Sequence, residues 1–170
     1  MTTTATGTDG SGAHPRFAQA LKELGLEEVL GRARKFPEGT RTAVEAADAI
    51  GCELSQICKS LVFAADGAPV LVLMDGASRV DVERVREELG VKKVGRADAQ
   101  VVREVTGYAI GGVPPFGHRT RTRVLADRSL LAHDVVWAAA GTPYAVFPME
   151  PKELVTHAGA TLVDVREQHP

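Results

Sequence analysis

The chain has 170 residues, enough for one domain around a single core. Hydrophobic residues make up 44% but aromatics only 5%, so Val, Leu, Ala and Ile must build that core. A net charge of −2 excludes a strong positive field for long nucleic acid, though not contact with one end of it. No run approaches the ~20 apolar residues that cross a bilayer.

Residues 1–13 are rich in Thr, Gly, Ala and Ser, with neither a basic start nor an apolar run. They read as a disordered leader, not a secretory signal, followed by one domain over 14–170. From Pro15 to about Gly31, Phe17, Ala20, Leu21, Leu24 and Leu30 recur at helical spacing, as one amphipathic helix or as a helix broken near Gly25. Thr42-Ala43-Val44-Glu45 has the form of a capping box, and Gly51 supplies a stop, so 42–50 is a short helix. Two apolar strands follow at 60–64 and 69–74, joined by the hairpin signal Asp66-Gly67. Both runs are almost wholly apolar, which places them in the core with both faces covered.

Asp81 caps a helix to Leu89, which turns Val82, Val85 and Leu89 inward and ends at Gly90. An edge strand is expected over 92–95. Asp98 caps another helix through Val105, with Gly107 beyond it. The Gly/Pro loop 111–118 comes next, then strands at 122–126, 135–139 and 144–147, the last introduced by Gly141-Thr142-Pro143. Pro151 suits the first turn of a helix over 151–157, and 162–165 adds a short strand. Helices and strands are mixed without strict alternation. The fold class is therefore α+β, with an antiparallel or mixed sheet in place of a doubly wound one.

Cys52 and Cys58, six apart, match no zinc or redox spacing and read as reduced thiols. His14, His118, His133, His157 and His169 form no ligand cluster, so neither a metal nor a cofactor is expected. The chain has no nucleophile elbow, P-loop or dinucleotide fingerprint. Lys59 stands out because a strand that feeds a core has little reason to begin with a lysine. It either snorkels to water or sits paired at a cleft. The segment Gly111-Gly112-Val113-Pro114-Pro115-Phe116-Gly117-His118 is either a rigid connector or a set of backbone N–H donors facing that lysine. His118 is a solvated side chain or a substrate contact. A Ser60–Lys59 dyad is disfavoured, because neighbours on a strand point to opposite faces. Arg119, Arg121 and Arg123 share one face if extended, and either track phosphates or protect an edge strand. Lys92, Lys93 and Arg96 form a second basic cluster with the same two readings.

These segments resemble the YbaK/EbsC family. The likeness is carried by Thr42 through Gly51, by Ile57-Cys58-Lys59-Ser60-Leu61-Val62-Phe63 and by Val70-Leu71-Val72-Leu73. It is strengthened by Thr106-Gly107-Tyr108 with the Gly/Pro loop, and by Asp127-Arg128-Ser129-Leu130-Leu131 followed by Val136-Trp137-Ala138 and Ala140-Gly141-Thr142. The resemblance covers about residues 15–166. It implies a curved, mainly antiparallel sheet surrounded by helices. It also implies a trans-acting aminoacyl-tRNA deacylase, similar to the editing domain of bacterial prolyl-tRNA synthetases, that cleaves the ester of a mischarged tRNA such as tRNA(Pro).

By the same resemblance Lys59 is the catalytic candidate. Ser60, Gly111, Gly112, Val113, Pro115, His118, Gly141 and Thr142 are candidates for substrate binding. The implied partners are the 3′ acceptor end of a mischarged tRNA and prolyl-tRNA synthetase, in the cytoplasm and away from membranes. Val62, Val113 and Val146 are placed to line an excluding pocket. Relatives with cysteinyl specificity carry an Asp where this chain reads Tyr144-Ala145-Val146-Phe147, so the amino acid removed stays open. Two rival functions are a non-catalytic module binding the acceptor end or aminoacyl group, and a hydrolase of small amino-acid esters.

Overall fold

The helices of the computed structural model, which describes residues 10–40 and 42–168, start and stop where side chains complete their backbone hydrogen bonding. In α1 (Pro15–Glu23) the His14 Nδ1 accepts from the Arg16 N–H at 3.0 Å. The chain then breaks at Gly25 and continues as a 3₁₀ turn, Glu27–Arg32. Thr42 and Glu45 form the reciprocal capping box of α2 (Ala43–Ile50), with 3.1 Å bonds each way, and Gly51 closes it in the left-handed conformation. Asp81 caps α3 (Val82–Leu89), and Asp98 caps α4 (Ala99–Thr106) through the Val101 N–H at 2.9 Å. Pro151 opens α5 (Pro151–Ala158).

Among the described residues eight strands form one sheet: β1 (Arg34–Lys35), β2 (Ile57–Ala65), β3 (Ala68–Asp75), β4 (Val94–Arg96), β5 (Arg123–Asp127), β6 (Val136–Ala139), β7 (Ala145–Met149) and β8 (Thr161–Val163). Their order is β1-β7-β6-β2-β3-β5-β8, and β4 pairs separately with β2. Four of the seven ladders are antiparallel and three are parallel. This is the mixed α+β architecture expected of the chain. The β2–β3 hairpin turns on Asp66 (φ 49°) and Gly67 (φ 84°), the two left-handed residues that a two-residue hairpin turn requires. The Asp66 carboxylate accepts from the Lys92 and Lys93 N–H groups, which ties the hairpin tip to the approach to β4.

Both faces of β2 and β3 are covered, as their apolar sequences require. On one face Cys58, Val62, Leu71 and Leu73 pack with Phe17 and Leu21 of α1, Val102 of α4 and Leu154 of α5. On the other, Phe63, Val70, Val72 and Met74 pack with Val85 of α3.

The structure departs from the sequence-based expectations at several points. β1 is two exposed basic residues with no alternation to reveal them. β7 runs through Pro148 to Met149; Pro148 lies beyond the two residues that β1 covers, where a missing N–H is tolerated. Arg119 is outside any strand: the Arg119 and Thr120 N–H groups bond the Thr106 and Val105 carbonyls, folding the segment onto the end of α4. Only Arg123 of the three alternating arginines is in β5, so the basic stripe is not formed as an extended face. Of the leader expected over 1–13, residues 1–9 lie outside the described residues, whereas Ser11 and Ala13 are buried. Among the described residues no helix is long and apolar enough to cross a membrane.

Candidate functional site

The outer edge of β2 is paired at both ends and open in the middle. β6 pairs with Ile57 and Cys58, and β4 with Phe63, Ala64 and Ala65. Between them Lys59–Val62 have no neighbouring strand on that edge. The Val62 carbonyl is taken by the Ala97 N–H at 3.1 Å. Residues two apart present their backbone groups to the same edge, so the Ser60 N–H and C=O face the gap.

The gap leads into a cavity of about 250 Å³. Its walls come from Ile57–Val62 of β2, Arg96 and Ala97 at the end of β4, Val102 of α4 and Ile110, Gly111 and Val113 of the Gly/Pro loop. Trp137 and Ala139 of β6, Val146 of β7, and Thr40, Thr42, Ala43 and Ala46 complete them. Small apolar side chains dominate. Among the described residues of the lining, Lys59 and Arg96 carry charge and none is a carboxylate. Pockets that enclose drug-sized ligands run to about 300–1,000 Å³, so this one suits a small group and not a whole nucleotide.

Lys59 and Ser60 diverge as strand neighbours must. Lys59 is half-buried, and its Nζ donates to the Ser78 carbonyl at 2.6 Å. Burial lowers its pKa below the usual lysine value; the Asp75 carboxylate opposes that shift, and Arg79 and Arg96 add to it. An ammonium has three N–H donors, so two remain for a ligand. On the opposite face the Ser60 Oγ is buried without a hydrogen-bond partner among the described residues. The Cys58 thiol, also in the lining, is pushed up to about 12 by burial and by the Asp75 charge. It is therefore protonated at neutral pH and unsuited to act as a nucleophile.

The Gly/Pro loop is held from beneath. Thr106 Oγ1 donates to the Val102 carbonyl at 2.7 Å and accepts from the Tyr108 N–H at 3.0 Å, which reverses the chain after α4. The Tyr108 hydroxyl donates to the Gly117 carbonyl at 2.7 Å, and burial raises its pKa. His118 Nε2 lies 2.6 Å from the Pro114 carbonyl; a carbonyl only accepts, so Nε2 carries the hydrogen. Burial lowers the His118 pKa, partly offset by that bond, which keeps the ring neutral at pH 7.

Gly112 lies directly against the 140–142 turn. A Cβ added there would stand 2.7 Å from the Thr142 Cα and 2.9 Å from its N. Gly141, at φ 90°, is pressed onto the Tyr108 ring and His14. The two loops singled out in the sequence thus form one packed unit.

Of the candidate residues, Lys59, Ser60, Gly111 and Val113 line the cavity together with Val62 and Val146. Gly112, Pro115, His118, Gly141 and Thr142 are not in its lining. Gly112, Gly141 and Thr142 join the loops, and His118 braces Pro114 from within. The Gly112 N–H is occupied by the Ala109 carbonyl at 2.9 Å. Trp137, Thr40, Thr42, Ala43 and Ala46, all in the lining, had no site role in the sequence-based expectations, and Arg96 was grouped only with other basic residues. A sole tryptophan in a chain poor in aromatics was the available signal.

A larger hollow of about 520 Å³ lies at the ends of β3 and β5, beside the buried Asp75 and Asp127. Asp75 accepts from the Ala77 N–H and the Ser129 hydroxyl, and Asp127 from the Ser129 and Val165 N–H groups. These carboxylates finish strand ends, and each of their oxygens already accepts one hydrogen bond. Among the described residues no group of three or more His, Cys, Asp or Glu could hold a metal ion.

A mixed sheet split beside a small, mainly apolar cavity, with Lys59 and Arg96 in its described lining, marks the candidate site. The model of the aminoacyl-tRNA editing domain family matches residues 37–157, and the chain belongs to that family. It is 36% identical over 121 residues to the uncharacterized protein YwhH of Bacillus subtilis, covering 71% of this chain and 76% of that one. It is 34% identical over 114 residues to a proline–tRNA ligase of Limosilactobacillus fermentum, covering 64% of this chain but 20% of the ligase. A solved structure of a proposed trans-editing enzyme for prolyl-tRNA synthetase matches with a TM-score of 0.84 at 42% identity, covering 90% of this chain and 96% of that one. The family is the one that the Lys-Ser-Leu-Val-Phe and Gly-Gly-Val-Pro-Pro-Phe-Gly segments implied. Aminoacyl-tRNA editing is the function of the chain.

Proposed function

We propose that the chain acts in trans as a deacylase, hydrolysing the ester between a wrongly attached amino acid and the terminal ribose of tRNA(Pro) or a related tRNA. The observation that carries this reading is the composition of the cavity. It has room for a small side chain, Lys59 and Arg96 with no carboxylate among the described residues of the lining, and an open strand edge beside them.

An aminoacyl ester is already activated, so positioning and charge stabilisation suffice. The side chain of the amino acid enters between Val62, Val113 and Val146. The Ser60 N–H and its unpartnered Oγ, together with the Gly111 backbone, orient the aminoacyl group. Lys59 stabilises negative charge on the ester oxygens through the two N–H donors that Ser78 leaves over. The protonated Cys58 leaves water or the neighbouring ribose hydroxyl as the attacking group. Specificity comes from exclusion: one methylene is worth only about 1–3 kcal/mol in an apolar pocket, so a small editing cavity works best by refusing the larger, correct amino acid. The chain would do this in the cytoplasm, working alongside prolyl-tRNA synthetase.

The test is a deacylation screen over Ala-, Cys-, Ser- and Thr-charged tRNAs with Pro-tRNA(Pro) as control. The reading predicts turnover of at least one smaller amino acid and an intact Pro-tRNA(Pro). Tight binding without turnover of any of the four would make the chain a binding module. Equal cleavage of amino-acid esters lacking tRNA would make it a small-ester hydrolase.

A further inference from the structure

We propose that Arg96 is the phosphate-binding residue of this site, its guanidinium taking the phosphodiester that joins the terminal nucleotide to the rest of the acceptor strand. The proposal rests on the aminoacyl-tRNA reading above and divides labour between the two cations of the cavity.

Lys59 is committed to the inner end, where the Ser78 carbonyl fixes its ammonium. Arg96 stands at the outer end of the same gap. It ends β4, pairs across the ladder with Phe63, and is followed by Ala97, whose N–H closes onto Val62. Lys59 and Phe63 are four residues apart on β2, about 13 Å of strand. Two long side chains that line one cavity from those positions can reach two parts of one ligand. The Arg96 charge reaches Lys59, where it adds to the lowering of the lysine pKa.

How Arg96 is held is informative. Among the described residues the ion pairs engage Arg84, Arg86 and Arg128, and none engages Arg96. Its guanidinium instead lies over the buried Phe63 ring, 5.6 Å from the centroid. This contact biases the exposed guanidinium towards the ring face and uses none of its N–H donors. A planar fork placed so, without a carboxylate, is suited to two parallel hydrogen bonds to a phosphate. An arginine that merely protects a strand edge has no need to be a wall of the cavity.

The experiment compares the wild type, Arg96→Gln and Arg96→Lys on two substrates carrying the same amino acid: an aminoacylated acceptor-stem minihelix, and the amino acid esterified to adenosine without any phosphate. Arg96→Gln should slow minihelix deacylation about ten- to a hundredfold and change the adenosine ester rate far less, by no more than about threefold, the part that passes through the Lys59 charge. Arg96→Lys, which keeps the charge but not the fork, should recover part of the loss. The salt dependence of minihelix binding should fall by about one in slope for Arg96→Gln. A wild-type rate on the minihelix, or an equal loss on both substrates, would overturn the assignment. If the wild type cleaves neither substrate, the deacylase reading fails by itself. Binding of uncharged minihelix then decides on Arg96: an unchanged salt slope rejects it, and a slope lower by about one upholds it.

Discussion

Replacing Gly112 by Ala should drive the Gly/Pro loop off the 140–142 turn. The new Cβ would stand 2.7 Å from the Thr142 Cα, 2.9 Å from its N and 3.0 Å from its carbonyl carbon. Ordinary carbon–carbon contacts lie at about 3.5–4.0 Å, so the loops must part by about 1 Å. The atoms met are backbone and cannot rotate away. Gly112, unlike Gly111, does not need a left-handed conformation, so the substitution isolates the steric effect. Overpacking of this kind costs about 1–3 kcal/mol, which for a chain of this length lowers Tm by about 2–12 °C. The catalytic effect should be about 2.7 kcal/mol, of the same order, because a displacement of about 1 Å in a positioning element costs about 10²-fold. Thermal unfolding and single-turnover deacylation of a mischarged tRNA read the two effects separately. A Gly112→Ala protein with wild-type Tm and wild-type rate would refute the reasoning, since loops that matter to the site could not have been separated at no cost.

Two other predictions concern groups close to or beneath the cavity. Cys58, with its thiol pKa near 12, should resist alkylation at pH 8 in the folded protein, and Cys58→Ser should deacylate within a few-fold of wild type; a loss on the scale of 10³ would restore the thiol as a nucleophile. Stability should fall as pH drops below about 6.5, because an unfolded His118 takes a proton near that pH while the buried one takes it only at lower pH. The unfolded state therefore binds more protons across that window, and His14, lowered by burial and by Arg16, adds in the same direction. His118→Gln, which can still donate to the Pro114 carbonyl, should show a shallower fall of Tm between pH 7 and 5, and identical slopes would contradict this.

What the sequence revealed and what it hid have physical reasons. Thr42, Asp81 and Asp98 marked helix starts because a capping side chain acts within three residues of itself. Asp66-Gly67 marked the hairpin because two left-handed residues in a row leave few alternatives. Val62, Val113 and Val146 could be grouped as pocket residues only through the family likeness, since nothing local joins three valines on different elements. The break in strand pairing along β2 was invisible, because it depends on where β4 and β6 dock. For the same reason nothing local showed that the exposed Arg96 lies over Phe63 at the rim of the cavity. The three alternating arginines would share a face only if extended, and two hydrogen bonds from Arg119 and Thr120 to the end of α4 hold that stretch in a bend instead.

The central claim is that the Lys59 charge at the open edge of β2 stabilises the cleavage of an aminoacyl ester. Lys59→Met keeps the apolar stem that packs within the half-buried strand and removes the ammonium. Measured as kcat/KM on a mischarged tRNA(Pro) that the wild type hydrolyses, the variant should lose about 2–4 kcal/mol of transition-state stabilisation, or about 30- to 1000-fold, while remaining folded. A Lys59→Met protein that deacylates at the wild-type rate would contradict the account.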